Sequence, residues 1–217
     1  MANPLTANDV GPELAVQHEA YGVFCTLLGE FHYAYTALEY ELNITIYATV
    51  TRLSKGRNGR VLVAVLGGQR MSPAKDTIKR LLRATKASDK KIAFVDALFH
   101  QLGEIQFFRD RLTHNFTSMS KDDPNIWVNM NFAGVRDVFQ VEDISFHLST
   151  LSAATIDVWW MREVIGPLFN HYVRRGSGAT PELPTWRYTP AMLTRERPNK
   201  KRSRPPRKRQ PQSSRTK

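Results

Sequence analysis

Residues 24–46 read Phe24-Cys-Thr-Leu-Leu-Gly-Glu-Phe31-His-Tyr-Ala-Tyr35-Thr-Ala-Leu38-Glu-Tyr-Glu-Leu42-Asn-Ile-Thr-Ile46. Phe24, Leu27, Leu28, Phe31, Tyr35, Leu38, Leu42 and Ile46 recur at the three- and four-residue steps that put side chains on one face of an α-helix. The stripe continues to Leu53. One long helix is therefore predicted from near Pro12, a residue suited to a first helical turn, with Asn8 or Asp9 as its cap. Lys55-Gly-Arg-Asn-Gly59 is read as the basic turn that ends it.

The same periodicity returns further along. Val61 to Leu66 is a short apolar run, either a helical turn or a buried strand. Ser72-Pro73 is read as N-cap and first helical residue of a second helix, with Ile78, Leu81 and Leu82 as its apolar face. Ser88 caps a third, through Ile92, Val95, Leu98, Phe99, Leu102, Ile105 and Leu112, and Asn115 is its expected stop because asparagine tolerates a left-handed backbone. Asp122-Asp-Pro-Asn125 is a turn. Ile126–Phe132 and Val135–Val141, around Gly134, give a strand-turn-strand signal. A last helix is expected from near Asp143, holding Leu148, Leu151, Val158, Trp159, Ile165, Leu168 and Phe169, with Gly166-Pro167 as a kink point. The fold class is all-α: a bundle of about four or five helices with a small β-hairpin insertion and a disordered basic C-terminal tail. The expected helical domain is 12–174, followed by linker and tail at 175–217.

Composition supports that division. A chain of 217 residues suits one domain with a tail. Residues 195–217 hold eleven Lys/Arg and one acid, leaving 20 Lys/Arg against 19 acids in residues 1–194. The tail has no aliphatic or aromatic side chain to offset the entropy of ordering it, so it is read as a disordered polycation. It serves either as a solvated, solubilising segment or as a phosphate attractant through Lys200, Lys201, Arg202, Arg204, Arg207, Lys208 and Arg209. Cys25 stands alone, which excludes an internal disulfide and a thiolate zinc cage, and a reducing compartment is the default. Met1–Leu14 has no apolar run of the secretory type, and Asp157, Arg162 and Glu163 break the most apolar late stretch. A cytoplasmic protein without membrane contact is expected.

The chemistry-bearing segment is Phe107-Phe-Arg109-Asp110-Arg-Leu-Thr-His114-Asn115. At 100° per residue, Arg109 falls on the stripe of Val95, Leu98, Leu102, Ile105 and Leu112 and needs an acceptor there. Asp110 and His114 are four apart, so the carboxylate can orient the imidazole. An oriented titratable group beside a fixed cation suits phosphate chemistry. Other readings stand beside this one. Arg109 can pair with Glu39 as a structural ion pair, and His114 can serve the dipole of a helix C-terminus. The remaining histidines, His18, His32, His100, His147 and His171, have no ligand spacing and are read as structural or exposed. Tyr33, Tyr35 and Tyr40 are read as core or interface.

Arg109-Asp-x-x-x-His114 resembles the signature of the HEPN superfamily, an Arg, usually followed by Asn or Asp, with a His four to six residues beyond. Leu38-Glu39-x-x-Leu42-Asn43 is similar to a Glu-x-x-Leu-Asn pattern of some bacterial HEPN-like families, and Arg70–Leu82 looks like their middle helix. The resemblance covers roughly 24–172 in layout, with the sharp match confined to about ten residues. It implies a helical, often dimeric protein and a metal-independent endoribonuclease. The ribose 2′-OH would attack the adjacent phosphate and leave a 2′,3′-cyclic phosphate. His114 would be general acid or base, Arg109 would stabilise the phosphorane, and Asp110 would orient His114. Glu39, Asn43 and Asn115 would support them, with no metal or other cofactor. RNA is the implied substrate, and a toxin or phage-defence setting with an antitoxin partner is implied by analogy. Arg109 and His114 are about 140° apart on one helix, so a homodimer with a composite site is expected. The rivals are a non-catalytic HEPN-like module that binds nucleic acid or protein, and a helical structural adaptor.

Overall fold

The structure, a computed structural model, describes residues 12–54, 68–130, 143–173 and 180–196. Among the described residues four helices form the body: α1 (Pro12–Leu53), α2 (Met71–Ala84), α3 (Asp89–His114) and α4 (Leu148–Val173). Strands β1 (Phe116–Met119), β2 (Ile126–Met130), β3 (Asp143–His147) and β4 (Thr194–Glu196) make one sheet in that order, with every neighbouring pair antiparallel. None of these helices is long and apolar enough to cross a membrane.

The long helix predicted from the Phe24–Leu53 stripe is present. Its 42 residues span about 63 Å at the α-helical rise. It lies along α4 and, further on, against α2. Phe31, Leu38, Leu42, Ile78, Leu82, Leu98, Leu102, Ile105, Leu151, Val158 and Met161 are buried in one contiguous core. Gly166 of α4 faces α1, where a Cβ would meet the Glu41 Oε1 at 2.6 Å, a contact the flexible Glu41 side chain can relieve by moving. The helix continues through Pro167 to Val173.

The molecule is largely helical, but it is not an all-α bundle. A four-stranded sheet stands where a small hairpin was expected. Strand β2 begins at Ile126 as predicted, whereas residues 131–142, including the second predicted strand, lie outside the described residues. Asp143–His147 is a strand rather than the first turn of the last helix. Its alternation places Ile144 and Phe146 inside with Ser145 half-buried, and β2 likewise buries Trp127 and Asn129. This inner face covers the helices: Trp127 stacks on Phe24 at 4.0 Å, and Phe146 meets Phe108 edge-on at 5.1 Å. The short strands lack the sequence length to outweigh neighbouring helical spacing, and cross-strand pairing decides them.

Residues 180–196, expected to be linker and the beginning of the tail, lie on the body. The Asp157 carboxylate, 3% exposed, accepts from Arg187 N at 3.0 and 3.1 Å and from Tyr188 N at 2.9 Å. Gln101 Nε2 donates to Tyr188 O at 2.8 Å and to Asp157 at 3.3 Å. Tyr188 is fully buried and stacks on Phe108 at 5.6 Å, and Trp186 meets Trp160 edge-on at 5.5 Å. A buried carboxylate held by three donors fixes an otherwise irregular segment, because its backbone N–H groups find their acceptor there. The expected boundary at 174/175 therefore falls between α4 and a segment that completes the fold.

Smaller differences concern helix ends. The cap of α2 is Arg70, and Ser72 and Pro73 lie inside its first turn. Ser88 caps α3 as expected, without a side-chain cap bond. Asn115 ends α3 in an extended, not left-handed, conformation because the chain runs straight into β1. The basic turn at 55–59 and the apolar run 61–66 lie outside the described residues.

Candidate functional site

Helix α3 is continuous through Arg109 and His114. The two side chains therefore leave one rigid rod about 7.5 Å apart along the axis and about 140° apart around it. Arg109 is half-buried, not fully inside the apolar stripe: its side chain keeps 32% of its exposure. Its guanidinium lies 5.4 Å above the Tyr35 ring, and Nη1 donates to Asp110 Oδ1 at 3.0 Å. Its Nε is buried without a hydrogen-bond partner among the described residues.

Among the described residues the buried arginine is Arg111, two residues on. Its Nη2 reaches Asn129 O at 3.5 Å. Its carbonyl accepts from Asn115 N at 3.2 Å, Asn115 Nδ2 at 3.0 Å and Asn129 Nδ2 at 3.1 Å. This knot ties the end of α3 to β1 and β2. It also engages the Asn115 amide, which was expected to be a donor at the site.

Asp110 pairs with Arg109 rather than with His114. A guanidinium partly withdrawn from water over an aromatic ring gains more from a carboxylate than an exposed imidazole does. His114 is exposed in the last turn of α3. Arg109 does not pair with Glu39 either. Glu39 Oε1 accepts from Met71 N at 2.6 Å, so the carboxylate caps an orphan donor at the positive end of α2. Asn43 works beside it: Oδ1 accepts from Gln69 N at 2.9 Å and Nδ2 donates to Gln69 O at 2.8 Å. Glu39 and Asn43 thus dock the start of α2 on α1.

Sequence reasoning missed the titratable groups near the Arg109–Asp110 pair. His32 of α1 is half-buried, and burial first, then the Arg109 charge, hold its pKa below the usual histidine range. The Tyr35 hydroxyl is pushed well above its ordinary pKa, mainly by burial, with Asp110 adding to the effect. Lys75 of α2 donates to Gln106 Oε1 at 3.2 Å, and burial is the main cause lowering its pKa. The i, i+3 spacing of His32 and Tyr35 was the only available signal, and it does not name a partner on α3.

Arg195 of β4 lies with its guanidinium 5.3 Å from the Phe107 ring on α3. The pairing register runs Thr117, Asn129, Ile144, Arg195 across the sheet, a distance of about 14 Å for three strand spacings. The basic tail thus departs from the far edge of the sheet whose first strand follows His114. Lys200, Lys201, Arg202, Arg204, Arg207, Lys208 and Arg209 lie outside the described residues. A small cleft of about 50 Å³ between α1 and α4 is lined by Glu41, Ile44, Thr49, Arg52 and Phe169, among others, and by none of the site residues above. Among the described residues no three His, Cys, Asp or Glu side chains are grouped to hold a metal ion.

No known protein family, curated protein or solved structure matches this chain. The case for a function therefore rests on the residues at the end of α3.

Proposed function

We propose that the protein is an endoribonuclease of the HEPN type that works without a metal. The observation that carries the reading is the state of Arg109. A cation is held in place by Asp110 and the Tyr35 ring, with Nε unengaged, one and a half turns before an exposed imidazole. A base takes the proton from a ribose 2′-OH, the oxygen attacks the adjacent phosphorus, and the P–O5′ bond breaks with proton return to the leaving oxygen. The products are a 2′,3′-cyclic phosphate and a 5′-hydroxyl. His114 is the general acid or base, and Arg109 stabilises the phosphorane charge. Asp110 fixes Arg109 in this scheme. The 140° between the two groups favours a site assembled from two copies of the chain. The basic tail recruits RNA through its phosphates. A toxin or phage-defence setting in the cytoplasm, with a cognate antitoxin, suits such an activity.

One observation favours a second reading. Asp110 is engaged by Arg109, so among the described residues His114 has no carboxylate to orient it, as in a module that binds nucleic acid or protein without cleaving it. RNA cleavage by the wild type against His114→Ala in EDTA separates the two. Loss of cyclic-phosphate ends in the variant supports the nuclease. Equal cleavage by a folded His114→Ala protein removes it.

A further inference from the structure

The outer face of α1 has the composition of an inner one. Between Phe31 and Thr51 the only charged residues are Glu39 and Glu41, and both are half-buried, at α2 and at α4. The core stripe of Phe31, Leu38, Leu42 and Ile46 is buried. Opposite it stand Tyr33, Tyr40 and Tyr47, 68%, 65% and 50% exposed, with Ile44 at 41% beside them. A helix that is apolar on both faces is a helix covered on both faces.

The spacing says what kind of cover fits. Tyr33, Ala37, Tyr40, Ile44, Tyr47 and Thr51 follow four- and three-residue steps, the seam that a second helix fills knobs-into-holes. The three tyrosines are seven residues apart, so their spacing is the same in both directions about Tyr40. A two-fold axis beside Tyr40 places Tyr33 of one copy against Tyr47 of the other, and an isologous contact requires such self-complementarity. From Tyr33 to Tyr47 the stripe is about 21 Å long. At roughly 200 Å² per tyrosine, the three tyrosines expose about 370 Å². That is nearly half of the ~800 Å² per partner of a standard interface. Trp159 of α4 packs against Tyr33 at 5.9 Å, and Ile156, 41% exposed, extends the apolar surface one turn earlier on α4. The basic tail has no apolar side chain with which to cover it.

We propose that this face of α1 binds the same face of a second copy, antiparallel, with Tyr40 at the two-fold axis. The proposal shares with the nuclease reading only the expectation of two copies, and it rests on α1 alone. An inactive protein that dimerises through Tyr40 would remove the nuclease and leave this interface.

The test uses the full chain. Light scattering on the wild type at tens of micromolar should give twice the chain mass. Tyr40→Glu should give a monomer with unchanged helical circular dichroism, and Tyr47→Lys should weaken association in the same way. In a Cys25→Ser background, Tyr40→Cys should cross-link to itself with a short bis-maleimide. Tyr33→Cys should cross-link only when mixed with Tyr47→Cys. A monomeric wild type overturns the proposal, including the case where Tyr40 is shielded from iodination by another segment of its own chain, such as 61–66. A dimer that survives Tyr40→Glu, or cross-links that ignore the register, overturns it as well.

Discussion

Asp157 on α4 holds the backbone N–H groups of Arg187 and Tyr188, thirty residues further along the chain, within 3.1 Å of its carboxylate. Removing the carboxylate leaves buried donors without an acceptor, each costing about 1–3 kcal/mol. Asp157→Ala should therefore lower unfolding free energy by about 2–4 kcal/mol in urea titrations. It should also open Arg187 to trypsin while Arg162 inside α4 stays resistant. A variant as stable as the wild type, with Arg187 still protected, would contradict this role.

Arg109 and His114 predict a pattern across two readouts. Arg109→Ala should reduce RNA cleavage about 10²–10³-fold by loss of a fixed cation, with little change in melting temperature because the side chain keeps a third of its exposure. Arg109→Lys should restore little, since an ammonium cannot lie flat on Tyr35 while meeting Asp110. The Arg109→Ala/His114→Ala pair should be hardly worse than either single, as expected of groups that act as a unit. A large fall in melting temperature on Arg109→Ala with full cleavage would assign Arg109 to structure alone.

His32 sets a pH dependence whose sign follows from its surroundings. Its pKa in the fold lies below the ordinary 6.5, through burial and the Arg109 charge. The unfolded chain therefore takes up a proton before the fold does. The fold is favoured fully above about pH 6.5 and loses part of that advantage as pH falls through the lowered value. The urea midpoint should drop between about pH 7.5 and pH 5, and His32→Gln should shrink the drop. An identical drop in both proteins would exclude His32 as its source.

Removing residues 197–217 takes the net charge from +11 to +1 and leaves β4 intact. RNA affinity should fall, and the slope of its logarithm against log salt should flatten. Turnover at saturating RNA should persist, because no site group on α1 or α3 is lost. Unchanged affinity at low salt would make the tail a bystander.

The helices were legible because their signal is long. The stripe from Phe24 to Leu53 repeats over about eight turns, and α3 repeats from Ile92 to Leu112, so tertiary contacts had little to override. The strands were not. Asp-Ile-Ser-Phe-His at 143–147 alternates over five residues and runs directly into Leu148 and Leu151, whose helical spacing absorbs it. Its identity comes from β2 and β4, which are distant in sequence. At the site, the spacing of α3 puts Arg109 on the apolar stripe, but its half-buried depth and the exposure of His114 depend on what packs around α3. The partners of Arg109 do too. Asp110 was assigned to His114 by spacing, and Tyr35 and His32 reach Arg109 only through the packing of α1 on α3. Glu39 and Asn43 were recognised as a pattern, but the Gln69 and Met71 amides they bind are set by where α2 begins.

The pairing of β4 with β3 governs how the chain tolerates being shortened. A chain stopped at residue 174 would retain all four described α-helices, yet β3 would present a row of unsatisfied N–H and C=O groups. Phe108 and Trp160 would lose the aromatic covers Tyr188 and Trp186. A bare strand edge beside freshly exposed rings is a template for intermolecular strand addition. Such a fragment would be recovered as aggregate, whereas one ended at residue 196 would remain dispersed.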